Sequence, residues 1–379
     1  MKPSQFDIAN QRPCLPWFLS CLLLPILLGG CESLGYYRQA VQGHIQILRQ
    51  RQPIAKLVDD PSTPEALKQR LCYVLKVREF ARKELFLPAD RHYLSYVNLG
   101  RPYVAWNVYA APEFSLTPKT WCFPVAGCVA YRAYFSEDAA VGYARKLSEE
   151  GYDTDVGGVT AYSTLGWFDD PLLNTMLKFS NTRLAALIFH ELAHQKLYVP
   201  GDTSFNESFA TAVEQEGVRR WQRISRDPQG YEAYWTTFRR KQQLIDLILS
   251  YRRHLERLYE TDLSENQKRT KKDSIFRELR RCYGELTKSW DGYSGFDGWF
   301  NDSLNNAWLA SIAAYHEFVP AFSRMLQEEN GDLDQFYREC RKLAQMDQIA
   351  RHEALSKKSG AAGPRFPVAP EGGACLPTE

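Results

Sequence analysis

Hydrophobic positions change their period along this chain, and the change divides it. Between residues 64 and 87, Leu67, Leu71, Val74, Leu75 and Phe80 recur at helical spacing, which predicts one amphipathic helix. From about 91 to 135 the pattern turns to β-branched and aromatic residues broken by Gly and Pro. Tyr93, Tyr96, Val97, Leu99, Tyr103, Val104, Trp106, Val108 and Tyr109 read as strands, and Val129 to Phe135 as a further one. Ser136-Glu137-Asp138 predicts a capped helix running to about Glu150, ended by Gly151. Another strand is expected over Val159 to Leu165. Beyond residue 171 the pattern is helical, with a Gly- and aromatic-rich loop from Asp291 to Asp302 and helices again to about 357. Strands first and helices after predict an α+β fold: a mixed or antiparallel sheet with helices, strand-rich over 91–165, then a mainly helical region over 171–358. Residues 359–379 are rich in Gly, Pro and Ala and are expected to be a disordered tail.

The first thirty residues follow another rule. Lys2 and Arg12 precede an apolar run from Leu15 to Leu28, too short to span a bilayer and typical of an export signal. Leu28-Gly29-Gly30-Cys31 resembles the lipobox of bacterial lipoproteins, which implies cleavage before Cys31 and its lipidation. Residues 1–30 then form a signal peptide, 31–60 an anchor and linker, and 61–358 the folded body. The implied partner is a membrane, reached through the lipid, with the body facing the periplasm. Glu32, where an Asp would favour inner-membrane retention, leans toward the outer membrane.

Charge excludes one class of partner. With 47 basic and 45 acidic residues the net charge is +2, so no basic stripe for nucleic acid is expected. Runs such as Lys268-Arg269-Thr270-Lys271-Lys272 alternate with acids and read as solvated helix faces. Six of the nine cysteines lie beyond the anchor: Cys72, Cys122, Cys128, Cys282, Cys340 and Cys375. An even set in an oxidising compartment permits disulfides. Cys122 and Cys128 flank the turn-like Phe123-Pro124-Val125-Ala126-Gly127 and are expected to close a local loop, two buried thiols being the alternative.

The chemistry concentrates in Phe189-His190-Glu191-Leu192-Ala193-His194. On a helix, His190 and His194 share one face and can offer two imidazoles to one cation, while Glu191 is rotated by about 100° and can stand beside it. Asn181 or Thr182 is the expected N-cap. Pro200-Gly201-Asp202 should break this helix and Ser204 cap the next, bringing Glu207, thirteen positions after His194, back toward the histidines as a third ligand. Two imidazoles and a carboxylate suit Zn²⁺ and leave one position open, as catalytic zinc requires.

His-Glu-x-x-His followed by Asn206-Glu207-x-Phe209-Ala210 resembles the gluzincin metallopeptidases, including thermolysin-like enzymes and aminopeptidase N relatives. The resemblance implies His190, His194 and Glu207 as zinc ligands and Glu191 as general base toward a zinc-activated water. It also implies an acid at Glu214 that orients a ligand from behind. The chain is similar, over most of its mature length, to a family of predicted bacterial aminopeptidases. Thr120 to Cys128, Gly158 to Gly166, Phe189 to Gln195, Asn206 to Glu214 and Leu304 to Ala307 carry that similarity. The Gly-Ala-Met-Glu-Asn motif by which aminopeptidase N relatives hold the substrate amine is absent, and the interval from histidine to glutamate is shorter than in those enzymes. An oxyanion donor is also required; Tyr162 and Tyr315 are the candidates, with a core aromatic as the alternative for each. The expected activity is zinc-dependent hydrolysis of peptides or proteins, with removal of N-terminal residues favoured. An envelope endopeptidase and a non-catalytic zinc-holding binding lipoprotein are the alternatives.

Overall fold

The computed structural model describes residues 34–123, 127–161, 163–164, 168–300, 304–313 and 318–360. The chain divides into two compact units, Met1–Leu48 and Arg49–Glu379. Helix α1 begins at residue 34 in the first and runs to 49, within the segment expected to be linker. The remaining elements belong to the second unit.

Its sheets are small. Strands β1 (Gln52–Pro53), β2 (Ser95–Val97) and β8 (Leu172–Leu173) form one, antiparallel at β1–β2 and parallel at β2–β8. Strand β3 (Ala105–Pro112) is flanked antiparallel by β6 (Arg132–Tyr134) and β7 (Tyr152–Val159). Strands β4 (Trp121–Phe123) and β5 (Gly127–Val129) pair as a hairpin, with Cys122 opposite Cys128 and bonded to it. The fold is α+β, as the pattern predicts.

Two strand expectations need correcting. The run from Val129 to Phe135 is two strands, β5 and β6, in different sheets, separated by a bend at Ala130. The strand expected over Val159 to Leu165 lies earlier, as β7. Asp153, Asp155, Gly157 and Gly158 are of types depleted in strands, yet β7, which holds them, pairs with β3 over its whole length. Backbone pairing with a central strand overrides their low β propensity.

Helix α2 spans Ile54–Asp59 and α3 Glu65–Glu84, the latter matching its apolar stripe. Helix α4 (Glu137–Glu149) starts at Ser136, whose side chain accepts from the Ala139 amide, and ends before Gly151 at φ +89°. Helices α5 (Asn181–Lys196), α6 (Thr203–Ser225), α7 (Pro228–Tyr259) and α8 (Glu265–Lys288) follow. A 3₁₀ turn at Asp297–Trp299 precedes α9 (Asn306–Ala313), α10 (Val319–Glu328), α11 (Leu333–Ala344) and α12 (Gln348–Gly360). Leu244, Ile248 and Leu255 of α7 pack with Phe276 and Leu279 of α8, Phe296, Phe300 and Leu309 into one large apolar cluster. Phe205 and Phe209 of α6 meet Phe322, Phe336 and Tyr337 of α10 and α11 in an aromatic core.

Helix α5 is central. Leu184, Ala185, Ile188, Phe189 and Leu192 are fully buried, which fixes its rotation about its axis. Phe189 packs on Phe80 of α3. On its other side it presses on Gly217 of α6, where an added Cβ would stand 2.5 Å from the Phe189 ring. That glycine lets α5 and α6 approach beside the residue preceding His190.

Candidate metal centre

Local chemistry sets the two helices that build the site. The N-cap of α5 is Ser180, accepting from the Arg183 amide, one residue before the expected Asn181. Asp202 rather than Ser204 caps α6, accepting from the Phe205 amide at 3.1 Å. Asp202 is buried, and Arg351 and His352 of α12 both hold its carboxylate, at 2.8 and 2.9 Å. The α5–α6 connection is tied further by Asn206, whose amide side chain donates to the Val199 carbonyl and accepts from the Val199 amide, both at 2.8 Å. The disulfide hairpin leans on the same turn: Gly127, at φ +75°, lies so close that an added Cβ would meet the Gly201 nitrogen at 2.6 Å.

Across this turn Glu207 returns to the histidines. Its Oε2 is 3.3 Å from His190 Nε2, and its Oε1 is 3.7 Å from His194 Nε2. The two imidazoles stand edge to face with centroids 4.9 Å apart. One donor atom from each of the three residues lies within 4.8 Å of the others. Ligands about 2.0–2.1 Å from a tetrahedral cation are about 3.3 Å from each other. The donor set and its spacing therefore fit a zinc-sized ion.

Charge fits as well. Burial alone would lower the His190 pKa, but its hydrogen bonds to Glu207 and Glu214 and their charges raise it to about 10. The two carboxylates thus favour positive charge at this ring, as they would favour a cation beside it. Burial lowers the His194 pKa to about 4, so its ring is neutral and keeps a lone pair to give. Its Nδ1 is buried without a hydrogen-bond partner among the described residues. Burial raises the Glu191 carboxyl to about 7, opposed by His190 and assisted by Glu207, Asp170 and Glu214. A carboxyl so placed can both accept and release a proton near neutral pH.

A layer behind His190 holds it. Glu214 Oε2 is 3.1 Å from His190 Nδ1, on the side of the ring away from Glu207. Glu214 Oε1 accepts from the Tyr234 hydroxyl at 2.9 Å and from Arg183 at 3.4 Å. Burial acts to raise the Glu214 pKa, but His190, Arg183 and Tyr234 carry it down to about 2. Beyond His194, Gln195 donates to Ser163 at 2.6 Å and to the buried Asp170 at 2.8 Å. Lys241 of α7 forms no ion pair among the described residues. Burial, with Arg183, lowers its pKa to about 8 against the pull of Glu214 and Glu207.

The structure thus brings His190, His194, Glu207, Glu191 and Glu214 together and joins Cys122 to Cys128. Tyr162, Tyr315 and Cys31 lie outside the described residues. Sequence reading missed Arg183, Tyr234, Asp170 and Lys241. Arg183 was accessible to it, standing seven positions before His190 and so on the same helical face. Tyr234 and Lys241 reach the site only through the packing of α7, which no local pattern encodes.

Fold and centre together define an α+β protein with a His-Glu-x-x-His helix facing a carboxylate from the next helix. A family described as putative aminopeptidase matches residues 35–355. The chain belongs to that family, and its class is that of peptide-hydrolysing enzymes. No curated protein and no solved structure matches it.

Proposed function

We propose that the protein is a zinc-dependent aminopeptidase of the bacterial envelope, held by a lipid on Cys31 and facing the periplasm. The observation that carries this reading is the convergence of His190 Nε2, His194 Nε2 and the Glu207 carboxylate beside Glu191. His190, His194 and Glu207 would hold the ion. When bound, it supplies Lewis acidity toward the scissile carbonyl and toward water.

The chain's own groups do the rest. Glu191, with its carboxyl near neutrality, takes a proton from the attacking water and delivers it to the departing amine. Glu214 keeps the His190 ring turned with Nε2 inward, and Tyr234 and Arg183 hold Glu214 ionised.

The test uses the chain lacking residues 1–31, on free-amine and N-blocked peptides, beside Glu191→Gln. Hydrolysis of free-amine peptides alone, lost in the variant, supports the aminopeptidase. Equal cleavage of blocked internal bonds replaces it with an endopeptidase. Loss of neither activity nor peptide binding in Glu191→Gln overturns the proposed base.

A further inference from the structure

Helix α1 carries an exposed apolar face. Leu34 is 73% exposed, Tyr37 43%, Val41 56% and Ile45 39%. At 3.6 residues per turn these four side chains fall within an arc of about 80°. Arg38 and Arg49 are exposed and border the stripe on one flank.

Position along the chain says what covers this face. The apolar run Leu15–Leu28 and the lipobox-like Leu28-Gly29-Gly30-Cys31 end three residues before Leu34. Three residues reach at most about 10 Å. A chain fixed in a bilayer at Cys31 therefore brings the start of α1 to the headgroups, whatever the rest of the molecule does. No described helix is long and apolar enough to cross a membrane, so α1 would lie along the surface.

We propose that the face formed by Leu34, Tyr37, Val41 and Ile45 is a membrane-contact surface for an anionic phospholipid bilayer, with Arg38 and Arg49 meeting lipid phosphates. The inference rests on reading residues 1–31 as an export and anchor segment. It adds a second contact to the lipid itself, and the arginines of α1 favour anionic lipid.

The experiment is sedimentation of the chain from Glu32 onward, which keeps every described residue and has no acyl group. The vesicles are phosphatidylcholine alone or with about one-third phosphatidylglycerol. Binding is expected to both and stronger with the anionic lipid. A Leu34→Ser, Val41→Ser, Ile45→Ser variant should bind at least about tenfold more weakly. Arg38→Gln with Arg49→Gln should lose only the preference for phosphatidylglycerol, by about tenfold or more. All these residues are exposed, so thermal midpoint and peptide hydrolysis should not change. No sedimentation of the parent chain with either vesicle, or equal sedimentation of the serine variant, overturns the proposal. Mass measurement of the native protein reports the anchor separately: an unacylated Cys31 would refute the anchor while leaving a positive vesicle result intact.

Discussion

Glu214 Oε2 lies 3.1 Å from His190 Nδ1, while Glu207 approaches the same ring from its other nitrogen. One imidazole is thus gripped at both ends by carboxylates from a single helix. The grip fixes which nitrogen faces the centre and raises the ring's electron density toward a cation. Glu214→Gln should weaken zinc binding by about 10–100-fold, read by competition with a chromogenic chelator, with little change in fold. Unchanged affinity would make Glu214 a packing residue.

Glu191 is adjacent in sequence to one ligand candidate but is not among the converging donors. Glu191→Gln should keep the metal and lose about 10²–10⁴-fold in turnover. Metal analysis beside steady-state kinetics separates the two effects. Loss of metal in step with activity would make Glu191 a ligand instead of a base.

Gly127 meets Gly201 across the turn between α5 and α6. Gly127→Ala would push a methyl into the backbone of that turn, from a positive φ that alanine avoids. A loss of about 1–3 kcal/mol is expected, seen as a lower thermal midpoint, together with weaker metal retention. A midpoint like that of the parent would show that the hairpin can swing away from the turn freely.

Lys241 gives a pH signature. Its pKa falls from 10.5 to about 8 on folding, so between these values the unfolded chain binds more protons and stability rises with pH. Below about 8 the penalty is fully present. Lys241→Met should therefore stabilise the protein near pH 7 by about 1 kcal/mol, and the gain should shrink as pH rises from 8 toward 10.5. Thermal melts of both proteins across that range check it. A gain that does not vary with pH would place its origin in packing.

Much of this was readable from residue order because the information is local. His190, Glu191 and His194 share one turn of helix, and the break at Pro200-Gly201 forces the chain back within a few residues. The Cys122–Cys128 bond closes a short hairpin. What stayed hidden depends on distant partners. Strand β7 holds residue types depleted in strands and forms because β3 pairs with it. Asp202 displaced Ser204 as cap while Arg351 and His352, about 150 positions away, neutralise its burial. Tyr234 reaches Glu214 through helix packing alone.

Zinc dependence is tested by peptide hydrolysis measured against zinc content, for the parent chain and for Glu207→Ala. Hydrolysis of a free-amine peptide should vanish when a chelator strips the metal and return with about one zinc per chain. Glu207→Ala should retain little of either. Full hydrolysis by metal-free protein, or zinc retained and active in Glu207→Ala, would contradict it.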